Sequence, residues 1–212
     1  MRWRGRRQSD NVVDRRGSRV SRGGSRKAVG GGAMIILLLA SVFFGEDVSK
    51  ILGLFIGGGS QVSSQQYEAP NSNQSTAQQD EASQFVSVVL AETEDTWNTV
   101  FAQMGKSYQP PKLVLYTGQV RSACGIGQAQ SGPFYCPGDY QIYLDLSFLE
   151  ELQRMGAPGD FAFAYVIAHE VGHHVQNIAG IASQVRAQQA RATQAQSNAL
   201  SVRLELQADC LA

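Results

Sequence analysis

His169-Glu170-Val171-Gly172-His173 places three residues at a spacing that can do hydrolytic chemistry. On a helix, residues four apart share a face, so His169 and His173 can aim two imidazoles at one ion. Glu170 follows the first histidine at the edge of that face, where a carboxylate can take a proton from a water that a metal activates. The preceding run, Phe161-Ala-Phe-Ala-Tyr-Val-Ile-Ala168, is apolar and free of glycine and proline. It predicts a buried helix that holds both ligands rigidly. A core helix with two incidental histidines is the competing reading. That reading leaves unexplained why all three histidines of the chain fall within 168–174.

Catalytic zinc takes three protein ligands and leaves a fourth position for water. His174, one residue past His173, points about 100° away around the helix. Since the chain has no other histidine, the third ligand must be a carboxylate or a thiolate. After Glu170 the only acidic residues are Glu205 and Asp209, four apart in Arg203-Leu-Glu-Leu-Gln-Ala-Asp-Cys210. Helical spacing sets both on one face, where one can bind the metal and the other can hydrogen-bond a ligand histidine. A solvated helix face is the alternative for this pair. Cys210 lies well over 90° around the helix from Glu205 and is expected as a small buried residue.

Gly132-Pro-Phe-Tyr-Cys-Pro137, Tyr143-Leu-Asp145 and Ala164-Tyr-Val-Ile-Ala-His-Glu-Val-Gly-His-His-Val-Gln176 together resemble the bacterial neutral zinc metallopeptidase family. The Arg/Gly-rich start and the segment 204–210 extend the resemblance over almost the whole chain. It implies a membrane-anchored protein of the gluzincin type, with Zn2+ held by His169, His173 and Glu205. Glu170 would be the general base, and Asp209 would support a ligand from behind. The implied activity is hydrolysis of peptide bonds in a peptide or protein substrate. The rival is a non-catalytic, zinc-stabilised scaffold or binding protein of the cell envelope. Glu170 counts against it, because a structural site uses four protein ligands and needs no base. Family members are longer, and no glycine, asparagine or proline ends the last helical segment before Ala212, so a fragment is expected.

The elements that position these residues follow from the composition. The chain has no net charge, yet its first thirty residues hold ten Arg and Lys against Asp10 and Asp14. Residues 1–27 are therefore expected to be a basic, disordered cytoplasmic tail. The membrane anchor is assigned to 28–59, with the apolar run 28–44 long enough as a helix to span about 26 Å. The positive-inside rule puts the N-terminus in the cytoplasm and the catalytic domain outside, as a single-pass protein of the cytoplasmic membrane. A cleaved signal peptide is the competing reading of the same run. Nucleic acid is not an expected partner, since the arginines lack interleaved aromatics apart from Trp3. Residues 60–82 are nearly free of large aliphatics and are expected to form a disordered linker.

The domain itself is assigned to 83–212, of class α+β: zincin-like, mainly helical with a small sheet. An amphipathic helix is expected from about 83 to 104, with strands at 112–116 and 141–145. The second strand is taken as the outer one, aligning substrate, with an ordinary core strand as the alternative. Ser147 and Asp160 are candidate helix caps. Tyr165 shares the face of His169 and is expected in the core. Cys124 and Cys136 bracket a Gly/Pro-rich loop and are expected to form a disulfide outside the cytoplasm.

Overall fold

A computed structural model describes residues 2–16, 72–157 and 159–212. The apolar run 28–44, and with it the anchor expected over 28–59, lies outside the described residues. Among those described, no helix is long and apolar enough to cross a membrane.

The class is α+β. Four strands, β1 (Val12–Asp14), β2 (Lys112–Tyr116), β5 (Phe134–Cys136) and β6 (Gln141–Asp145), form a sheet in the order β1-β2-β6-β5. β1, β2 and β6 run parallel, while β5 pairs antiparallel with β6 at the edge. β3 (Gln119–Ser122) and β4 (Gly125–Gln128) make a separate antiparallel ribbon. Five helices are described: α1 (Ser72–Gln103), α2 (Phe148–Arg154), α3 (Asp160–Ile178), α4 (Ile181–Gln189) and α5 (Gln194–Leu211).

The strand period of two sorts side chains onto the two faces of the sheet. Leu113, Leu115, Ile142 and Leu144 face the main core, where Val86 and Leu90 of α1 join Phe163, Ile167 and Val171 of α3. Val114, Tyr116 and Tyr143 face the other way, into a smaller cluster with Val120 and Cys136. β2 and β6 are therefore covered on both sides. The strand 141–145, expected on the outside, is interior; the edge beside α3 is β5. Pairing with β2 and β5 uses both backbone edges of β6.

Two further expectations are corrected at the N-terminal side. α1 begins at Ser72, so residues 72–82 of the expected linker are helical. No glycine or proline interrupts 72–82. Lengthening a helix that tertiary packing already holds needs only propagation, not nucleation.

Residues 2–16 are not a disordered tail; they pack on the domain. Trp3 is buried, its ring edge-on to Phe85, which stacks on Phe163. Val12–Asp14 adds a parallel strand beside β2. The basic side chains meet acids of α1: Arg4 pairs with Glu81, Arg6 with Glu92, and Arg7 with Asp95 at 2.7 Å and Glu94 at 3.1 Å. Exposed pairs of this kind contribute little each. Glu94 is different, being buried and also accepting hydrogen bonds from Ser9 and from Asn11 at 2.8 Å. A buried carboxylate needs such partners, and the N-terminal segment supplies them. Residues 2–16 and the domain thus form one body.

Candidate metal centre

α3 carries the first three site residues. It starts after Gly159 at φ 109°, so Asp160 is its first residue and not its cap. Ser147 does precede α2, though without a side-chain capping bond. The apolar face of α3 is fixed by Phe163, Val166, Ile167 and Val171 in the core. His169 and Glu170 are buried, with His173 one turn on and partly exposed. α5 brings the fourth. Its N-terminus is set by a capping box, in which Thr193 and Gln196 satisfy each other's backbone N–H groups.

The two helices meet at Gly172 and Ala208. A Cβ built on Gly172 would lie 2.8 Å from the Ala208 carbonyl oxygen, so only glycine permits this approach. The close crossing carries Glu205 to the two histidines. Its Oε2 lies 3.3 Å from His169 Nε2 and 3.2 Å from His173 Nε2. The imidazole rings are 4.7 Å apart and perpendicular. One ligand atom from each residue lies within 4.8 Å of the other two.

These positions fit a metal ion. Ligand bonds of about 2.0–2.2 Å in a tetrahedral site set the donor atoms roughly 3.3–3.6 Å apart, close to the separations seen. His169 Nε2 is buried without a hydrogen-bond partner despite its approach to Glu205. Glu170 Oε2 is likewise buried and unpartnered. Buried polar atoms are rarely left so. Two orphans at one spot call for a partner the side chains do not provide.

Electrostatics agree. Burial pulls His173 down, but the nearby Glu205 and Glu170 carboxylates outweigh it and hold it up at about 9. His169 is raised by the same balance. Burial pushes Glu205 up, yet its two histidine neighbours outweigh that and hold it at about 2. Glu170 is raised, chiefly by complete burial. Without an ion, the neighbouring carboxylates favour the protonated form of both imidazoles, and a cation would take the place of those protons.

Asp209 stands behind the site. His169 Nδ1–H donates to its Oδ1 at 2.8 Å, and the Tyr165 hydroxyl donates to the same oxygen, also at 2.8 Å. Tyr165 was expected only in the core; its four-residue offset from His169 was the available signal. His174 faces away, as the spacing predicts. Its Nε2–H donates to the Gln109 carbonyl at 2.7 Å and its Nδ1 accepts from Tyr135 Oη at 3.1 Å. Burial lowers it, which favours the neutral ring in this tie between α3 and β5. Cys124 and Cys136 form a disulfide, with Cα atoms 5.8 Å apart. Cys210, expected as buried, is exposed.

Over residues 1–212 the chain matches the family described as "Putative neutral zinc metallopeptidase", and it belongs to that family. It is 50% identical to Uncharacterized protein YpfJ of Escherichia coli (strain K12) over 219 residues, covering all of this chain and 73% of that protein. It is 41% identical to Uncharacterized protein Rv2575 of Mycobacterium tuberculosis (strain ATCC 25618 / H37Rv) over 134 residues, 62% of this chain and 44% of that one. No solved structure matches the chain.

Proposed function

We propose that the chain is a zinc-dependent peptidase in which His169, His173 and Glu205 hold the ion and Glu170 is the general base. The observation that carries this reading is the convergence, at 3.2–3.3 Å, of two Nε2 atoms of α3 with one carboxylate oxygen of α5, from residues 32 and 36 positions apart in sequence. Zinc bound there would supply Lewis-acid polarisation of a scissile carbonyl and a water acidic enough to ionise near neutral pH. Glu170 supplies the base. Its burial raises its affinity for a proton, and its free Oε2 can accept one and return it to the departing amine. Asp209 and Tyr165 hold the His169 ring in the tautomer that leaves Nε2 free.

The layout supports a zincin-like reading, with a metal-binding helix beneath a sheet whose edge strand is antiparallel. β5 is that edge, and the Tyr135 backbone lies close enough to Glu170 to favour its charged form. An extended peptide can add beside such an edge and present its carbonyl to the site. Attachment to the cytoplasmic membrane belongs to the same proposal, with the single pass given up because residues 2–16 and the domain share a side. An oxidising compartment for that side accords with the Cys124–Cys136 pair.

Glu170→Gln tests the reading. Zinc content should be unchanged, while chelator-sensitive cleavage of an unfolded protein falls by about 100-fold or more. A zinc-loaded wild type that cleaves none of a varied substrate set would favour the scaffold instead.

A further inference from the structure

Gln176 stands one helical turn beyond His173 and is fully buried. A buried primary amide has two donors and an acceptor oxygen to satisfy. Its Oε1 lies 3.0 Å from His173 Nδ1, while its Nε2 lies 2.7 Å from the Leu204 carbonyl oxygen and 3.1 Å from Gln207 Oε1. The Leu204 oxygen can only accept, so the amide nitrogen must face it. Turning the amide over would set oxygen against oxygen at that contact. The orientation of Gln176 is therefore dictated by the backbone of α5, and its oxygen is left for His173.

An amide oxygen can only accept, so His173 Nδ1 must carry the proton. That leaves the lone pair on Nε2, the atom that faces Glu205 at 3.2 Å. Leu204 is the residue before Glu205. One side chain thus reads the position of the carboxylate-bearing helix and sets the ring state of the histidine opposite it. The arrangement mirrors the other ligand, where Asp209 of α5 reaches back to His169 Nδ1. The difference lies in direction: for His173 the support comes from α3 and is itself oriented by α5.

We propose that Gln176 is a positioning residue of the metal centre, fixing the Nδ1–H tautomer of His173 and coupling it to the placement of α5. This rests on the reading of His169, His173 and Glu205 as zinc ligands. Its role is indirect, since it touches neither the ion position nor a substrate.

The test compares wild type, Gln176→Leu and Gln176→Glu by zinc affinity in chelator competition and by nitrogen-15 NMR of the His173 ring. Leucine keeps the bulk and removes the acceptor; zinc affinity should fall 10- to 100-fold. Glutamate keeps the acceptor for His173 but sets an oxygen against the Leu204 carbonyl, so it should preserve a slowly exchanging Nδ1 proton while recovering only part of the affinity. Thermal melts with the metal removed separate a folding defect from a site defect. If the leucine variant fails to fold, the wild-type spectrum decides alone: zinc-loaded His173 must show a protonated Nδ1. Wild-type affinity in the leucine variant, or a bare Nδ1 in the wild type, overturns the role of Gln176. A wild type that binds no zinc, or binds it equally after loss of His173, overturns the ligand assignment instead.

Discussion

At the scale of single residues, the centre is a set of opposed charges whose balance depends on pH. His173 is raised from 6.5 to about 9, so the stability it contributes to the metal-free protein is full below pH 6.5 and is lost as pH rises through 9. Glu205 is lowered from 4.5 to about 2, so its contribution is present above pH 4.5 and is lost as pH falls towards 2. Glu170, raised by burial, contributes stability that is lost as pH rises above 4.5. Zinc affinity runs the other way, because the imidazoles must shed protons to bind it. Melts of the metal-free protein should therefore drop between pH 6.5 and 9 while zinc binding strengthens over the same range. A metal-free melting temperature that rises across that window would contradict the charge assignment. The convergence of His169, His173 and Glu205 was legible in the sequence because their spacing is a helix period and the chain is poor in competing donors. For Tyr165 only the shared face with His169 was legible, since its partner Asp209 lies 44 residues away on another helix.

Between elements, the decisive contact is the crossing of α3 and α5 at Gly172. An alanine there would gain about 1 kcal/mol in helix propensity. Overpacking against a carbonyl oxygen at 2.8 Å costs about 1–3 kcal/mol, and the obstacle is backbone that cannot rotate away. We expect Gly172→Ala to shift α5 outward, melt a few degrees lower and bind zinc at least about tenfold more weakly, as read by chelator competition. Unchanged affinity would mean that Glu205 is not held by this crossing. The strands at 112–116 and 141–145 were legible as short runs rich in aliphatic and aromatic residues, the first set off by Pro110 and Pro111. Their order was not, because a strand covered on both faces has the same local pattern wherever it sits in a sheet. β5 escaped notice at three residues long, within a run of glycine, proline and cysteine.

For the whole molecule, the N-terminal segment changes the expected layout. Arginines before an apolar run read as a membrane flank, and nothing local says that their partners are acids of a helix some eighty residues on. Trp3 was the available clue, a large aromatic in an otherwise polar stretch that takes a place in the main core. Because residues 2–16 and the domain share one body, tags placed before Met1 and after Ala212 should react alike with a membrane-impermeant reagent in intact cells. Opposite accessibility would show that the segment does not pack in the cell as it does here.

The central claim is that zinc is held by paired imidazoles of α3 and one carboxylate of α5. The most direct measurement is the zinc dissociation constant of the wild type beside that of Glu205→Ala, by chelator competition at pH 7.5. One zinc per wild-type chain, with a loss of about 100-fold or more in the variant, is the expected result. Equal binding by the two proteins would contradict the assignment.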